Sequence, residues 1–486
     1  MGADTWHAAG ILGAGVRIGI IDGGFRGYPS LLGSDLPTSV TVANFVDGET
    51  VADVDGTSQH GTACAEIVYD TAPAARLYLA KVATAVDLCE AVQWLLAQGV
   101  DVISTSIGWP NTAPGDGTGP LAEIVEIARQ AGVLWVTAAG NYRTEHWGGA
   151  FVDGDADAFH EFAPGVEVNV FADDAGYALL FPAGDLLSVS MRWDDWAYVT
   201  QDYDLVAVRY DIGTARWELI LPSSGYALGG IDPQSGAPGQ TPTERLWMLS
   251  HGSTTYYGFV IARYSSNRAV HLEAFGHNSQ SLSPSTAPRS LAQPADAPAA
   301  LTVAALDAAS PFPQEFYSSE GPTNGPGGTA VGGFIKPDIA AFANVSTASY
   351  GSRGAGSSFN GTSAATPHVA GAAALVLSAF PSLLPQELRS YLGARAIDMG
   401  LAGMDTVFGH GRLHLGDPPG PGPTTSPTAT ATSTSTRTAT PTRTATPTST
   451  RTATPTRTAT RRVTRTATPQ SDPSPDMRLY MPAILR

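Results

Sequence analysis

The chain has 486 residues, 43% of them hydrophobic, so it exceeds a single ordinary domain and can bury a substantial core. Its formal net charge of −17 divides into +6 over residues 417–486, where nine Arg accompany three Asp, and −23 over residues 1–416. So acidic a body would repel a phosphate backbone, which argues against a nucleic-acid partner. No run of 18 or more apolar residues reads as a membrane span, and two cysteines do not make a disulfide framework.

Met1-Gly2-Ala3-Asp4 shows no charged segment followed by an apolar one, so no secretory signal is visible at this start. The first strong element is Val16-Arg17-Ile18-Gly19-Ile20-Ile21-Asp22-Gly23-Gly24, an apolar run ending in a carboxylate and two glycines. It reads as a buried parallel strand that delivers Asp22 at its C-terminal end. Residues 85–98 place Val86, Cys89, Val92, Leu95 and Leu96 on one helical face, with Gly99 as the stop. Residues 100–104 then read as a strand, 121–131 as a helix and 133–137 as a strand. Strand and helix alternate at βαβ spacing, so the fold class is α/β with a mainly parallel central sheet flanked by helices.

The pattern changes after Asn141. Residues 142–289 carry Trp, Tyr and Asp clusters and short apolar runs such as 177–181, 205–208 and 257–261. They predict an inserted β-rich domain resembling a sandwich. Within it, Arg192-Trp193-Asp194-Asp195 and Asp202-Tyr203-Asp204-Leu205 loosely resemble β-sandwich modules of the pre-peptidase or galactose-binding-like kind. The insertion is expected either to restrict a cleft or hold a partner, or simply to stabilise the fold. Asp153-Gly154-Asp155-Ala156-Asp157 has spaced carboxylates, but an EF-type calcium loop wants Gly where Ala158 stands and Glu where Pro164 stands. From Ala300 the α/β pattern returns and runs to about 416. The predicted order is therefore 1–141 and 290–416 as two parts of one domain, interrupted by 142–289.

Arg437, Arg443 and Arg451 each open a copy of RTATPT. Thr and Pro at this density cannot bury apolar surface, so 417–478 is expected to be a disordered spacer, with the composition of O-glycosylated stalks. Residues 479–486 form a short apolar end, a candidate for attachment to a cell surface or a plain sticky terminus.

Three residues offer nucleophilic chemistry, and each has a plainer reading. Asp22 before two glycines is turn chemistry. His60, opening a run of small residues, is by itself more often structural. Ser363 in Phe359-Asn360-Gly361-Thr362-Ser363-Ala364-Ala365-Thr366-Pro367-His368 has the place of a helix cap. Together they supply what amide hydrolysis by a hydroxyl requires: a nucleophile, a base and a carboxylate that holds the base in one tautomer. Asp, His, Ser is one of three chain orders in which unrelated triads occur.

At these residues the sequence resembles the subtilisin-like serine proteases. Ile20-Ile21-Asp22-Gly23-Gly24 is similar to the family's Asp motif, with Gly23 where Ser or Thr is usual. His60-Gly61-Thr62 matches the His motif, and residues 361–371 match the Ser motif almost letter for letter. Ala138-Ala139-Gly140-Asn141 resembles the oxyanion segment, and Ser104-Thr105-Ser106-Ile107-Gly108 the strand that pairs with substrate backbone. Residues 318–323, 336–339 and 409–413 are similar to the family's connecting and closing motifs. The resemblance covers about 10–141 and 290–415.

It implies a serine endopeptidase acting on extended polypeptides, with Ser363 as nucleophile, His60 as base, Asp22 orienting His60 and Asn141 donating to the oxyanion. It also implies a pocket for the residue on the acyl side of the scissile bond (P1), walled by Ser106, Ile107, Gly108, Ala138, Ala139 and Gly140. Those residues are uncharged, which favours a bulky or apolar P1. No cofactor is expected for the chemistry; structural calcium, common in the family, has no motif here that locates it. Some members carry a free cysteine at the position of Cys64, which predicts packing first and thiol sensitivity second; a Cys64–Cys89 disulfide is the alternative. The chain is expected to be a monomer, extracellular or at a cell surface with its start preceding Met1; the alternative is a cytoplasmic enzyme that folds unaided. Two other functions use the same fold: acyl transfer that ligates or cyclises peptides, and surface binding with the fold as scaffold.

Overall fold

A computed structural model describes residues 1–420 except 57, 197–198, 221–227, 232–234, 238, 251–254, 278–279 and 354–357. The RTATPT spacer and residues 479–486 lie outside the described residues.

Apolar runs become the strands of a parallel sheet because a strand covered on both faces must be apolar at consecutive positions. These strands are β1 (Arg17–Asp22), β2 (Thr41–Asn44), β3 (Arg76–Lys81), β4 (Val102–Thr105) and β5 (Leu134–Ala138). Ile18, Ile20, Val102, Leu134 and Val136 pack to one face, whereas Ile21, Ile103 and Trp135 pack to the other. This is the period-two alternation of a strand, and each such buried Ile or Leu contributes about 1.5–3 kcal/mol. Helix α1 (Ala3–Ala8) precedes these strands, and α2 (Tyr28–Leu31), α3 (His60–Thr71), α4 (Ala85–Gln98) and α5 (Pro120–Gln130) lie between them. Helix α4 starts on a capping box, Thr84 Oγ1 accepting from Asp87 N at 3.2 Å and Asp87 Oδ2 from Thr84 N at 3.0 Å. Its buried face is Leu88, Ala91, Val92 and Leu95; Val86, expected there, is 72% exposed. Apolar spacing alone leaves the stripe's centre open, and Leu88 and Ala91 shift it by about a quarter of a turn.

Eleven strands follow among the described residues. They are β6 (His146–Ala150), β7 (Asn169–Ala172), β8 (Leu180–Phe181), β9 (Leu186–Trp193), β10 (Asp202–Asp211), β11 (Arg216–Leu219), β12 (Leu228–Ile231), β13 (Thr243–Leu249), β14 (Thr255–Ser265), β15 (His271–Gly276) and β16 (Ser281–Ser283). They form two antiparallel sheets, ordered β11-β10-β14-β7-β16 with β8 beside β14, and β12-β13-β9-β15-β6. Leu187, Val189, Met191, Leu246 and Leu272 of one sheet share a single cluster with Phe171, Leu205, Tyr257, Phe259 and Ile261 of the other, the arrangement of a sandwich. The run 177–181 yields only two strand residues. Asp173 accepts the N–H groups of Ala175 and Tyr177 in a side-chain turn, which keeps Tyr177 out of the ladder.

The chain then returns to the parallel sheet with β17 (Ala300–Asp307) and β18 (Ile339–Ala343), followed by α6 (Thr362–Ala379) and α7 (Pro385–Arg395). The completed order is β18-β17-β5-β4-β1-β3-β2, every pairing parallel. The chain leaves β1 towards β3 on one side and β4 on the other, so the order reverses at β1. Crevices outside the carboxyl ends of strands at such a reversal are where α/β sheets hold ligands.

Candidate active site

Asp22 is the last residue of β1, at that reversal, and is 1% exposed. Its Oδ1 accepts the Gly23 N–H at 2.8 Å and its Oδ2 meets His60 Nδ1 at 2.7 Å. The carboxylate fixes the proton on Nδ1, which leaves Nε2 as the basic nitrogen. His60 is the first residue of α3, with its side chain 25% exposed and its ring edge-on to Phe359 at 5.3 Å. Burial alone would lower its pKa; the charge of Asp22 and the hydrogen bond to it outweigh burial and leave it raised. Gly61 makes the approach feasible, since a Cβ there would sit 2.7 Å from Asp22 Cβ and from Gly24 O.

Ser363 is the second residue of α6, and α6 has no side-chain cap. Its hydroxyl instead donates to the Ser106 carbonyl oxygen at 3.1 Å. Pro367 lies one turn on and has no N–H, so the Ser363 carbonyl loses its helical donor. Ser106 Oγ at 3.1 Å and Cys64 Sγ at 3.6 Å take that place. Cys64 Sγ also lies 4.0 Å from Asp22 Oδ2, so one buried thiol touches both the carboxylate and the serine segment. Burial, with Asp22 nearby, pushes that thiol well above its ordinary value, so it is a protonated donor. Cys64 and Cys89 are both free, which removes the disulfide alternative.

Asn141 Oδ1 accepts from Thr362 N at 2.9 Å and Thr362 Oγ1 at 3.0 Å. A backbone N–H can only donate, so this assigns the oxygen and leaves Nδ2 as the donor. Gly361 precedes α6 at φ 89°, where a Cβ would crowd Asn141 Nδ2 at 3.0 Å. Asn141 and Ser363 line one cavity of about 250 Å³ together with Ser106, Ile107, Gly108, Ala138 and Gly140.

Two residues expected to pair with substrate backbone and one expected on the pocket wall are elsewhere. Ser104 and Thr105 are buried and paired on both edges, with β1 and with β5, so they cannot accept an added strand. Ala139 is buried behind the wall, donating to Val303 O and accepting from Ala292 N. The cavity is also lined by Thr362 of the Ser motif and by Tyr142, Glu145 and Ala292, which no motif pointed to. Its wall therefore includes a carboxylate that the small motif residues did not announce.

Asp153, Asp155 and Asp157 hold carboxylate oxygens within 4.8 Å of one another and, among the described residues of the insertion, are the group suited to a cation. Arg263 already pairs with Asp153 at 2.6 Å, and Asp153 and Asp157 accept backbone N–H groups within the loop. The charged residues of the first sandwich motif are paired within the protein too. Arg192 pairs with Glu273, while Asp194 and Asp195 pair with Arg268.

The Subtilase family model matches residues 13–169 and 252–411. Subtilisin DY of Bacillus licheniformis is 34% identical over 154 residues, covering 29% of this chain and 52% of that protein. An extracellular serine protease of Serratia marcescens is 41% identical over 58 residues, covering 12% of this chain and 6% of that protein. The matched regions thus span about half, or far less, of those relatives' length. The Clostridium perfringens CspB protease superposes with a TM-score of 0.57 at 14% identity, covering 85% of this chain and 95% of that one, a likeness of fold.

Proposed function

Because the chain belongs to the subtilase family, we propose that it is a serine endopeptidase in which Ser363, His60 and Asp22 form the triad and Asn141 serves the oxyanion. The observation that carries this reading is the 2.7 Å bond between Asp22 and His60, with Cys64 linking Asp22 to the Ser363 segment. Rotation about the Ser363 Cα–Cβ bond exchanges the Ser106 carbonyl for His60 Nε2 as the hydroxyl's acceptor. Oγ then attacks the substrate carbonyl carbon while its proton passes to Nε2, and the displaced electron pair settles on the carbonyl oxygen. Asn141 Nδ2 and the Ser363 N–H, in the first turn of α6, receive that charge. Collapse breaks the C–N bond, the amine leaves with the proton from His60, and water repeats the sequence on the acyl-enzyme. These steps use side chains, the Ser363 backbone N–H and water.

Substrate lies as an extended strand along Ser106–Gly108, which suits polypeptides. We further propose that residues 1–141 and 290–416 are one catalytic domain interrupted by 142–289. The parallel strands fall within 17–138 and 300–343 and the antiparallel ones within 146–283, which supports that division. No helix among the described residues is long and apolar enough to cross a membrane. The Thr/Pro-rich composition of 417–478 supports placing the protein outside the cell.

Labelling with a fluorophosphonate, read by mass spectrometry, tests the assignment. Label on Ser363 that vanishes in Ser363→Ala is expected, with kcat falling by about 10⁴–10⁶-fold, the range known for subtilisin triads. Folded protein that takes no label would overturn it.

A further inference from the structure

Glu145 is the charged residue on the wall of the cavity beside Ser363. Its backbone is clamped from two directions: its N–H donates to Tyr142 O at 3.1 Å, and its C=O accepts from Gly276 N, at the end of β15, at 2.7 Å. The turn after Asn141 thus folds Glu145 back towards the cavity while the inserted sheets hold it. The nearest cation in sequence is turned away, since Arg143 binds Glu320 at 2.7 Å and Phe316 O at 3.2 Å. Among the described residues no cation pairs with the Glu145 carboxyl. The charged group acting on it is another carboxylate, Asp174, which accepts from the Ser281 hydroxyl. Burial and Asp174 push Glu145 up to about 8. An unpaired carboxylate in a half-closed pocket is costly, and a cation entering that pocket removes the cost.

We infer that Glu145 is the specificity-determining residue of the P1 pocket and that the pocket takes a cationic side chain, arginine or lysine. This rests on the protease reading for the meaning of the pocket, but the cation site itself does not depend on turnover. The apolar P1 implied by the small motif residues is thereby replaced. Ser106, Ile107 and Gly108, which line the same cavity, give the aliphatic stem of either side chain a neutral surface, and Glu145 meets the head group.

Two measurements at pH 9, where Glu145 is ionised and both side chains remain charged, separate the claims. In the first, calorimetry on Ser363→Ala compares benzamidine with the uncharged benzamide. Benzamidine is expected to bind at least about tenfold tighter, and adding Glu145→Gln should abolish the difference. In the second, peptides differing only at P1 are cleaved by the wild type. Arg and Lys are expected to exceed Leu in kcat/KM on the order of tenfold to a hundredfold, with the ratio collapsing in Glu145→Gln. Fluorophosphonate labelling with equal binding of the two probes would overturn the inference and leave the protease reading standing. Benzamidine selectivity without labelling would sustain the pocket and sink the protease reading. If Glu145→Gln fails to fold, the wild-type ratios decide alone, and an apolar preference at P1 refutes the assignment.

Discussion

The α/β body and the inserted sandwich each pair histidine with a buried carboxylate, yet the two clusters have opposite fates. In the body, Asp22 meets one ring, and that side chain keeps a quarter of its surface open. In the sandwich, Glu273 is 1% exposed between Arg192 at 2.5 Å, His271 at 3.7 Å and His146 at 3.9 Å. Asn324 donates to it at 2.7 Å, and Arg192 reaches the Ala113 carbonyl. Burial pushes Glu273 up, but Arg192 and the two histidines outweigh it and hold the carboxyl well below its usual range. His146, wholly enclosed, is driven down to about 4 and stays neutral. The same residue types leave a partly open ring at a strand end, and make a clamp where the outer face of one sheet meets the loops carrying Ala113 and Asn324. Access, more than composition, separates chemistry from architecture.

The sharpest way to break this contrast is Asp22→Asn. Loss of the carboxylate frees the wrong tautomer of His60, and kcat is expected to fall on the order of 10⁴-fold. The pH profile gives the sign. His60 acts as a base only when neutral, and Asp22 raises its pKa, so the acid limb of kcat/KM lies above the ordinary 6.5. In Asp22→Asn burial acts unopposed, and the limb of the residual activity should move to lower pH. A limb that stays in place would exclude Asp22 as the partner that matters.

Glu273→Gln tests the other half. Stranding Arg192 in the interior should cost about 3–5 kcal/mol of stability, read by denaturant unfolding. The double variant Arg192→Met/Glu273→Leu should recover part of the loss, because no charge is then left unpaired. A single-variant cost below about 1 kcal/mol, the value of an exposed pair, would show that the cluster is no clamp.

Asn141→Ala is the smallest of the three. It removes one donor to the oxyanion, for which a loss of about 10²–10³ in kcat with little change in KM is expected, a value established on subtilisin itself. Equal losses in binding and turnover would mean that Asn141 holds substrate rather than the developing charge.

Some of this was legible early because it depends on neighbours in the chain. Consecutive apolar residues dictate strands covered on both faces, and Asp22, His60 and Ser363 stand at element ends because local turn chemistry puts them there. Runs such as 177–181 were overread, since the Asp173 turn competes with the ladder for the same backbone. The added-strand edge was overread as well: Ser104 and Thr105 share a motif with Ser106, yet neighbouring strands occupy both of their edges.

The sequence by itself determined the α/β alternation, the change to short β-type runs and the order of the candidate triad. Only the tertiary structure decided that Ser106 and Cys64 replace the amide missing at Pro367, that Glu273 is enclosed by Arg192 from 81 residues away, and that Glu145 faces the cavity. The reason is physical. Periodicity and turn propensity are properties of adjacent residues, whereas the desolvation and partnering of a charge depend on which distant segments close around it.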